Sequence, residues 1–155
     1  MVINIAGYDV LIDDEDFEKA QYIKWHRINK NGSPYFSKSF RSKDNKYHSI
    51  LLHRLIINAP HGKHVDHING DTLDNRKSNL RICSRTDNNC NLKRRVDNTS
   101  GYKGVSFDKK KKKWAAYISK NKKRHFLGYF NTPKEAHKAY CKASKKYHGE
   151  FRRIA

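Results

Sequence analysis

The sequence predicts an α+β chain built from two small modules in series, and three observations carry that reading. At 155 residues there is room for one ordinary domain or two small ones. Residues 64–95 follow the order strand, loop, strand, helix. The C-terminal third reads as three short antiparallel strands and then one capped helix packed across their face. The predicted boundaries are 1–95 for the first module, with a core at 64–95 and a supporting segment at 1–60, a linker at 96–100, and a second module at 101–155.

Composition excludes several classes. Hydrophobic residues make up 36% of the chain, and two Trp, nine Tyr and seven Phe supply the bulk that a disordered basic tail lacks. The longest aliphatic run, Ile50-Leu51-Leu52, is far too short to span a membrane. The residues after Met1 show no basic segment followed by an apolar signal core. Three cysteines without a C-x-x-C pair argue against a disulfide scaffold and against structural zinc, and they suit a reducing, cytoplasmic compartment.

The net charge of +19 is graded along the chain. Residues 1–30 hold four basic and six acidic side chains, residues 31–100 thirteen and six, and residues 101–155 seventeen and three. Such an excess repels itself unless a polyanion neutralises it, and phosphate backbones are the common polyanion. Because the basic residues alternate with aromatics in strands and do not line an amphipathic helix, nucleic acid ranks ahead of acidic lipid as the partner.

In the supporting segment, Val10-Leu11-Ile12 reads as a strand. The acids Asp13 to Asp16 then lead a short helical turn, with negative charge favourable at its start. Their expected role is capping and repulsion of misplaced polyanion, ahead of cation binding. Trp25–Ile28 and Tyr35–Phe40 read as a hairpin across residues 30–34, and Ile50–Ile57 as a helix.

In the core, His64–Ile68 reads as a strand, and Asn69-Gly70-Asp71 opens a turn-rich loop that runs to Ser78. Leu80–Cys83 reads as a second strand, and Ser84-Arg85-Thr86-Asp87 as a capping box whose helix continues through Asn88, Asn91 and Lys93. Such a compact unit brings Asp66, His67 and Asn88 together. A carboxylate and an amide oxygen are hard donors suited to Mg²⁺ or Mn²⁺. A neutral imidazole beside them takes a proton from an attacking water, and Asn79 is placed to orient it. Taken singly these residues are weak signals, since Asp-His pairs are usually surface or capping pairs. Asp74-Asn75 reads as loop geometry, Asn91 as a secondary metal candidate, and His53, His61 and His64 as structural or loop histidines.

In the second module the strands are Tyr102–Phe107, Trp114–Ser119 and Arg124–Phe130. Thr132-Pro133-Lys134-Glu135 is a capping box with proline at the first helical position. Ala136, Tyr140, Ala143 and Tyr147 trace one helical face, and Gly149 ends the helix. If Trp114, Ala116, Ile118 and Leu127 face that helix, then Ala115, Tyr117, Ser119, Arg124 and Phe126 point outward. Tyr117, Ser119, Arg124 and Phe126, together with Lys103, Lys109, Lys111 and Lys113 at the rim, are the candidate DNA-binding residues.

Two resemblances sharpen these readings. Val65-Asp66-His67-Ile68-Asn69-Gly70, Leu73-Asp74-Asn75-Arg76, Ser78-Asn79-Leu80-Arg81 and Asn88-Asn89-Cys90-Asn91 resemble the HNH nuclease family, as upstream does Leu52-His53-Arg54-Leu55 and, weakly, Trp25. The resemblance implies a ββα-metal module that hydrolyses DNA phosphodiesters, with His67 as general base, Asn79 as its orienter, and Asp66 and Asn88 as metal ligands. Asn88 stands where the family name has histidine, as in the subgroup of phage and intron-associated homing endonucleases. The family's frequent zinc-binding cysteine pairs are absent from the sequence. Ser100–Val105, Lys113–Ala116, Phe126–Phe130, Glu135-Ala136 and Ala139-Tyr140 resemble the ethylene-response-factor (APETALA-type) DNA-binding domain, whose sheet enters the major groove. Here Tyr117 and Ser119 replace the usual Arg or Glu of plant members, so their target sequence does not transfer. The expected partner is double-stranded DNA, with no membrane and no obligatory protein partner evident. The alternatives are a sequence-preferring DNA-binding regulator with a silent nuclease motif and an RNA-binding protein.

Overall fold

The computed structural model describes residues 1–92, 94 and 97–153. The expected linker begins at Val96, and the expected helix extension ends at Lys93; both residues lie outside the described set. The fold is α+β, and the chain divides into two compact units, Met1–Ser84 and Arg85–Ala155.

The first unit opens with a hairpin of β1 (Val2–Ile5) and β2 (Tyr8–Leu11), then a 3₁₀ turn at Asp14–Asp16 and the short helix α1 (Phe17–Gln21). A meander follows, formed by β3 (His26–Lys30), β4 (Ser33–Arg41) and β5 (Tyr47–Leu51). The β3–β4 turn is Asn31-Gly32, with φ of 52° and 79°, the pair of left-handed residues that a two-residue hairpin demands. The helix expected at Ile50–Ile57 is shorter: α2 spans Leu52–Ile56, and Ile50 and Leu51 belong to β5. An apolar run of that length satisfies either period, and pairing of Leu51 with Ser37 decides in favour of the strand. Finally β6 (His64–His67) and β7 (Leu80–Cys83) pair antiparallel, His67 opposite Leu80. Val10, Ile12, Phe36, Leu52 and Leu80 lie in one buried cluster, so the N-terminal hairpin, the meander and the β6–β7 ribbon share a core.

In the second unit, α3 (Arg85–Cys90) precedes a three-stranded antiparallel sheet of β8 (Val105–Asp108), β9 (Lys113–Lys120) and β10 (Lys123–Phe130), with β9 central. The helix α4 (Pro133–His148) begins as expected: the Thr132 hydroxyl accepts from the Glu135 amide, and the Glu135 carboxylate accepts from the Thr132 amide. Ala116, Ile118 and Ala136 are buried between sheet and helix. Gly104 is required there, because its φ is +74° and a Cβ would come within 2.3 Å of the Tyr140 ring.

The buried stripe of α4 is Ala136, Tyr140, Ser144 and His148, whereas Ala143 and Tyr147 are half-buried. A search for apolar periodicity passes over the two polar members. They tolerate burial because the Ser144 hydroxyl donates to the Cys141 carbonyl (2.8 Å) and His148 Nε2 lies 3.0 Å from the Ser119 carbonyl. Ala115 is buried as well, although it shares a face with Tyr117; its cross-strand partners are Ser106 and Tyr129.

Candidate functional site

Asp66 and His67 end β6, where antiparallel pairing fixes both backbones. Both side chains are buried. Asp66 Oδ2 accepts from Arg81 Nε (2.9 Å) and Nη2 (2.6 Å), and Arg81 is the residue paired with Asp66 across the ribbon. This charge-assisted pair sets the carboxylate rotamer. Burial holds the His67 imidazole below the ordinary histidine range, against the opposing pull of Asn75 and Asp66, which favours the neutral ring.

The ring's neighbours come from three other segments. Asn75 Oδ1 lies 3.4 Å from His67 Nε2, a long approach. The rings of His53 and Tyr35 pack edge-on against it, with centroids at 5.3 and 6.0 Å, and against each other at 5.4 Å. His53 is itself buried, and burial, reinforced by the nearby His67, pushes its imidazole down to about 3.

Asn79 has two backbone partners. Its Oδ1 accepts from the Asn69 amide (3.0 Å), and its Nδ2 donates to the Asp74 carbonyl (2.7 Å). The carboxamide beside the imidazole is that of Asn75, which the sequence pattern assigns to loop geometry alone; its Nδ2 does serve the loop, by donating to the Thr72 carbonyl (3.1 Å). Asp74 receives both Nε and Nη2 of Arg76 at 2.8 Å and Asn69 Nδ2 at 3.2 Å. The segment from Asn69 to Asn79 is therefore closed on itself by side-chain-to-backbone bonds, as buried polar groups require.

The N-terminal acids brace the same loop. Asp13 Oδ2 accepts from the Lys77 amide (2.7 Å), and the Lys77 ammonium meets Asp16 (2.9 Å) and Glu15. Leu11 bonds the loop on both sides, donating to the Leu73 carbonyl and accepting from the Asn75 amide. Acids that read locally as a helix start thus have long-range partners, 62 and 64 residues away for Glu15 and Asp13, which no local window reveals.

Asn88 and Asn91 belong to the second unit. Asn88 is half-buried in α3, and its carbonyl accepts from the Asn91 amide at 3.1 Å; the Asn91 side chain is buried. Within this unit Asp87 pairs with Lys120 at 2.7 Å. Lys103 donates to the carbonyls of Cys90 (2.8 Å) and Leu92 (2.7 Å), and burial pushes its ammonium down to about 8. Lys103 therefore has an intramolecular engagement that Lys109, Lys111 and Lys113 at the exposed β8–β9 turn do not share.

On the outer sheet face, Tyr117 pairs with Phe126 and Ser119 with Arg124 across β9–β10. The Arg124 guanidinium stacks 3.6 Å above the Tyr117 ring centre, and Phe126 packs between Tyr117 (5.3 Å) and Tyr129 (4.9 Å). Phe126 is still 51% exposed, so this face presents an aromatic ridge framed by cations.

Asp66 carries a carboxylate and Asn88 a carboxamide, each an oxygen donor of the kind a hard divalent cation takes. Among the described residues no three His, Cys, Asp or Glu side chains gather into a metal-holding cluster. Nor, among those residues, is any helix long and apolar enough to cross a membrane.

Comparison with known proteins gives the same two parts. The chain is 36% identical over 66 residues to "Protein 3.8" of Escherichia phage T7, a stretch that is 43% of this chain and 54% of that protein. The chain thus spans about half the length of the curated relative it matches. No solved structure matches it. Residues 51–90 match the family model of the HNH endonuclease and residues 100–150 that of the AP2 domain, so the chain carries both, in the order its motifs announce.

Proposed function

We propose that this protein is a metal-dependent DNA endonuclease that hydrolyses phosphodiester bonds, with His67 as general base and residues 101–155 as the duplex-binding reader. The observation that carries the reading is the placement of His67: a buried imidazole braced by Asn75, His53 and Tyr35, adjacent in sequence to a carboxylate fixed by Arg81. A neutral ring accepts a proton from water at pH 7, whereas an exposed and partly protonated one is a poorer base. Asn79 acts as the orienter by tying Asn69 to Asp74, which holds Asn75 beside the ring. His53 and Tyr35 pack against the ring and keep it from tilting.

Asp66 and Asn88 are the ligands in this reading, and Mg²⁺ or Mn²⁺ held by them would offset charge on the phosphate and on the departing 3′ oxygen. The products are then a 5′ phosphate and a 3′ hydroxyl. The reader supplies affinity and some sequence preference through Tyr117, Ser119, Arg124 and Phe126, with Lys109, Lys111 and Lys113 on the phosphates. The similarity to a phage protein supports a phage or mobile-element homing role.

Supercoiled plasmid incubated with the protein and Mg²⁺ or Mn²⁺, beside EDTA and His67→Ala controls, tests this. Metal-dependent nicking that the variant loses while still shifting DNA in a gel is the expected result. Binding without cutting under any metal would leave a DNA-binding regulator.

A further inference from the structure

The helix that bears Asn88 is short, six residues, and its attachment to the rest of the second unit is unusual. Between α3 and the edge of β9 lies a cleft of roughly 710 Å³, lined by Arg85, Thr86, Asn89 and Cys90 on one side and Lys103, Ser119 and Lys120 among those on the other. Much of the helix's inner face therefore borders open space. Two polar fastenings cross this cleft. At one, Lys120, the last residue of β9, pairs with Asp87, the residue just before Asn88. At the other, the Lys103 ammonium takes the carbonyls of Cys90 and Leu92, at the end of α3 where backbone acceptors have no helical partner. A cation there also matches the negative end of the helix dipole.

We propose that Lys103 and Lys120 are positioning residues of the nuclease: by clamping α3 at both ends of the Asn88–Asn91 segment, they set the backbone on which the Asn88 ligand is carried. Lys120 is directly bonded in sequence to Ser119, whose side chain shares the outer face with Arg124, so the strand that reads DNA also holds the clamp. This inference rests on the assignment of Asn88 as a metal ligand in the proposed function.

The test uses full-length protein with Lys103→Met, Lys120→Met, Asp87→Ala and the charge swap Asp87→Lys/Lys120→Asp, beside Asn88→Ala. Three quantities are read: Mn²⁺ binding followed by the electron-spin signal of the free ion, hydrogen exchange of the amides from 88 to 92, and plasmid nicking. Each single clamp variant is expected to weaken Mn²⁺ binding about tenfold or more, as loss of a ligand's supporting bond does. Exchange at 88–92 should accelerate, nicking should fall in step, and gel-shift affinity should stay within about threefold. The charge-swap variant should recover part of the Mn²⁺ affinity and of the exchange protection, which a simple loss of folding would not allow. Wild-type Mn²⁺ affinity and exchange rates in all three single variants, with Asn88→Ala defective, would overturn the clamp alone. An Asn88→Ala protein with unchanged Mn²⁺ binding would overturn the ligand assignment beneath it.

Discussion

The two units spend their polar side chains in opposite directions. In the first, Asp66, His67, Asp74, Asn75 and Asn79 are buried, each tied to a neighbour or to the loop backbone. In the second, Arg124, Ser119 and the lysines of the β8–β9 turn face outward from a sheet whose inner side is apolar. A buried polar site gains neutral imidazoles and fixed carboxylates, but its chemistry and its folding share the same bonds. An outward face can change its readout without touching the core. Substitutions in the first unit should therefore disturb activity and stability together, and those on the sheet face should disturb binding alone.

The largest break in this comparison is His67→Ala. Removal of a general base costs about 10²–10⁴-fold in rate, so nicking should disappear from the plasmid assay while the gel shift persists. The ring is also buried against His53 and Tyr35, so the variant should lose some stability along with its activity, and a thermal melt beside the assay reads that part.

Asn79→Ala should show the coupling most plainly. It strands the buried Asp74 carbonyl, at a cost of about 1–3 kcal/mol, and hands the part-buried Asn69 amide to water. Urea denaturation should report a loss in that range. Nicking should fall too, even though the Asn79 carboxamide bonds loop backbone and reaches the imidazole only through Asn75. Unchanged stability would mean that water replaces both bonds, and the loop would then be less closed than its geometry indicates.

How much of this was legible in the sequence follows the same division. The Thr132-Glu135 capping box, the existence of the β3–β4 hairpin (read with a longer turn, at 30–34, than the Asn31-Gly32 pair that forms it) and the β6–β7 frame rest on local rules, and local rules are visible in a string of letters. The order of the nuclease and reader motifs was legible for the same reason. The pairing of Asp66 with Arg81 across the ribbon, the approach of His53 and Tyr35 to His67, and the grip of Asp13, Glu15 and Asp16 on Lys77 depend on distant segments meeting in space. Asn75 and Asn79 show the limit well: both are loop carboxamides four residues apart, and only the folded loop decides which one faces the ring. Ser144 and His148 escaped because a polar residue in a helix reads as exposed until a carbonyl is found to receive it.

Acid should test the buried imidazole of the first unit. His53 has its imidazole pushed down to about 3 from an ordinary 6.5, so the folded first unit prefers the neutral ring. A group depressed in the folded state contributes stability that is fully present above the unfolded value and is lost as pH falls toward the folded one. The first unit should therefore begin to lose Tm below pH 6.5 and continue to lose it toward 3. Asp16 adds to this at the acid end. Burial raises its carboxyl, yet the ammonium groups of Lys19 and Lys77 outweigh that and hold it below 3.8, so its contribution also fades as the pH drops further. A His53→Gln variant should flatten the first part of the decline, measured by thermal melts across pH. An unchanged slope would show that the ring is solvated and not enclosed.

The sheet face should give the smallest and cleanest effects. Lys109→Gln, Lys111→Gln and Lys113→Gln together remove three exposed cations from the β8–β9 turn. For each phosphate that is no longer neutralised, the slope of log affinity against log salt should shrink by about 0.9. Melting temperature should stay at its wild-type value, since Lys109 and Lys113 make no ion pair among the described residues and the bond from Lys111 to Asp108 is made by its backbone amide. Arg124→Lys asks a finer question of the same face. It keeps the charge but loses the planar stack on Tyr117, so the salt slope should persist while discrimination between DNA sequences narrows. If slope and discrimination fell together, Arg124 would be holding phosphate, and the reading of bases would have to lie with the aromatic ridge of Tyr117, Phe126 and Tyr129.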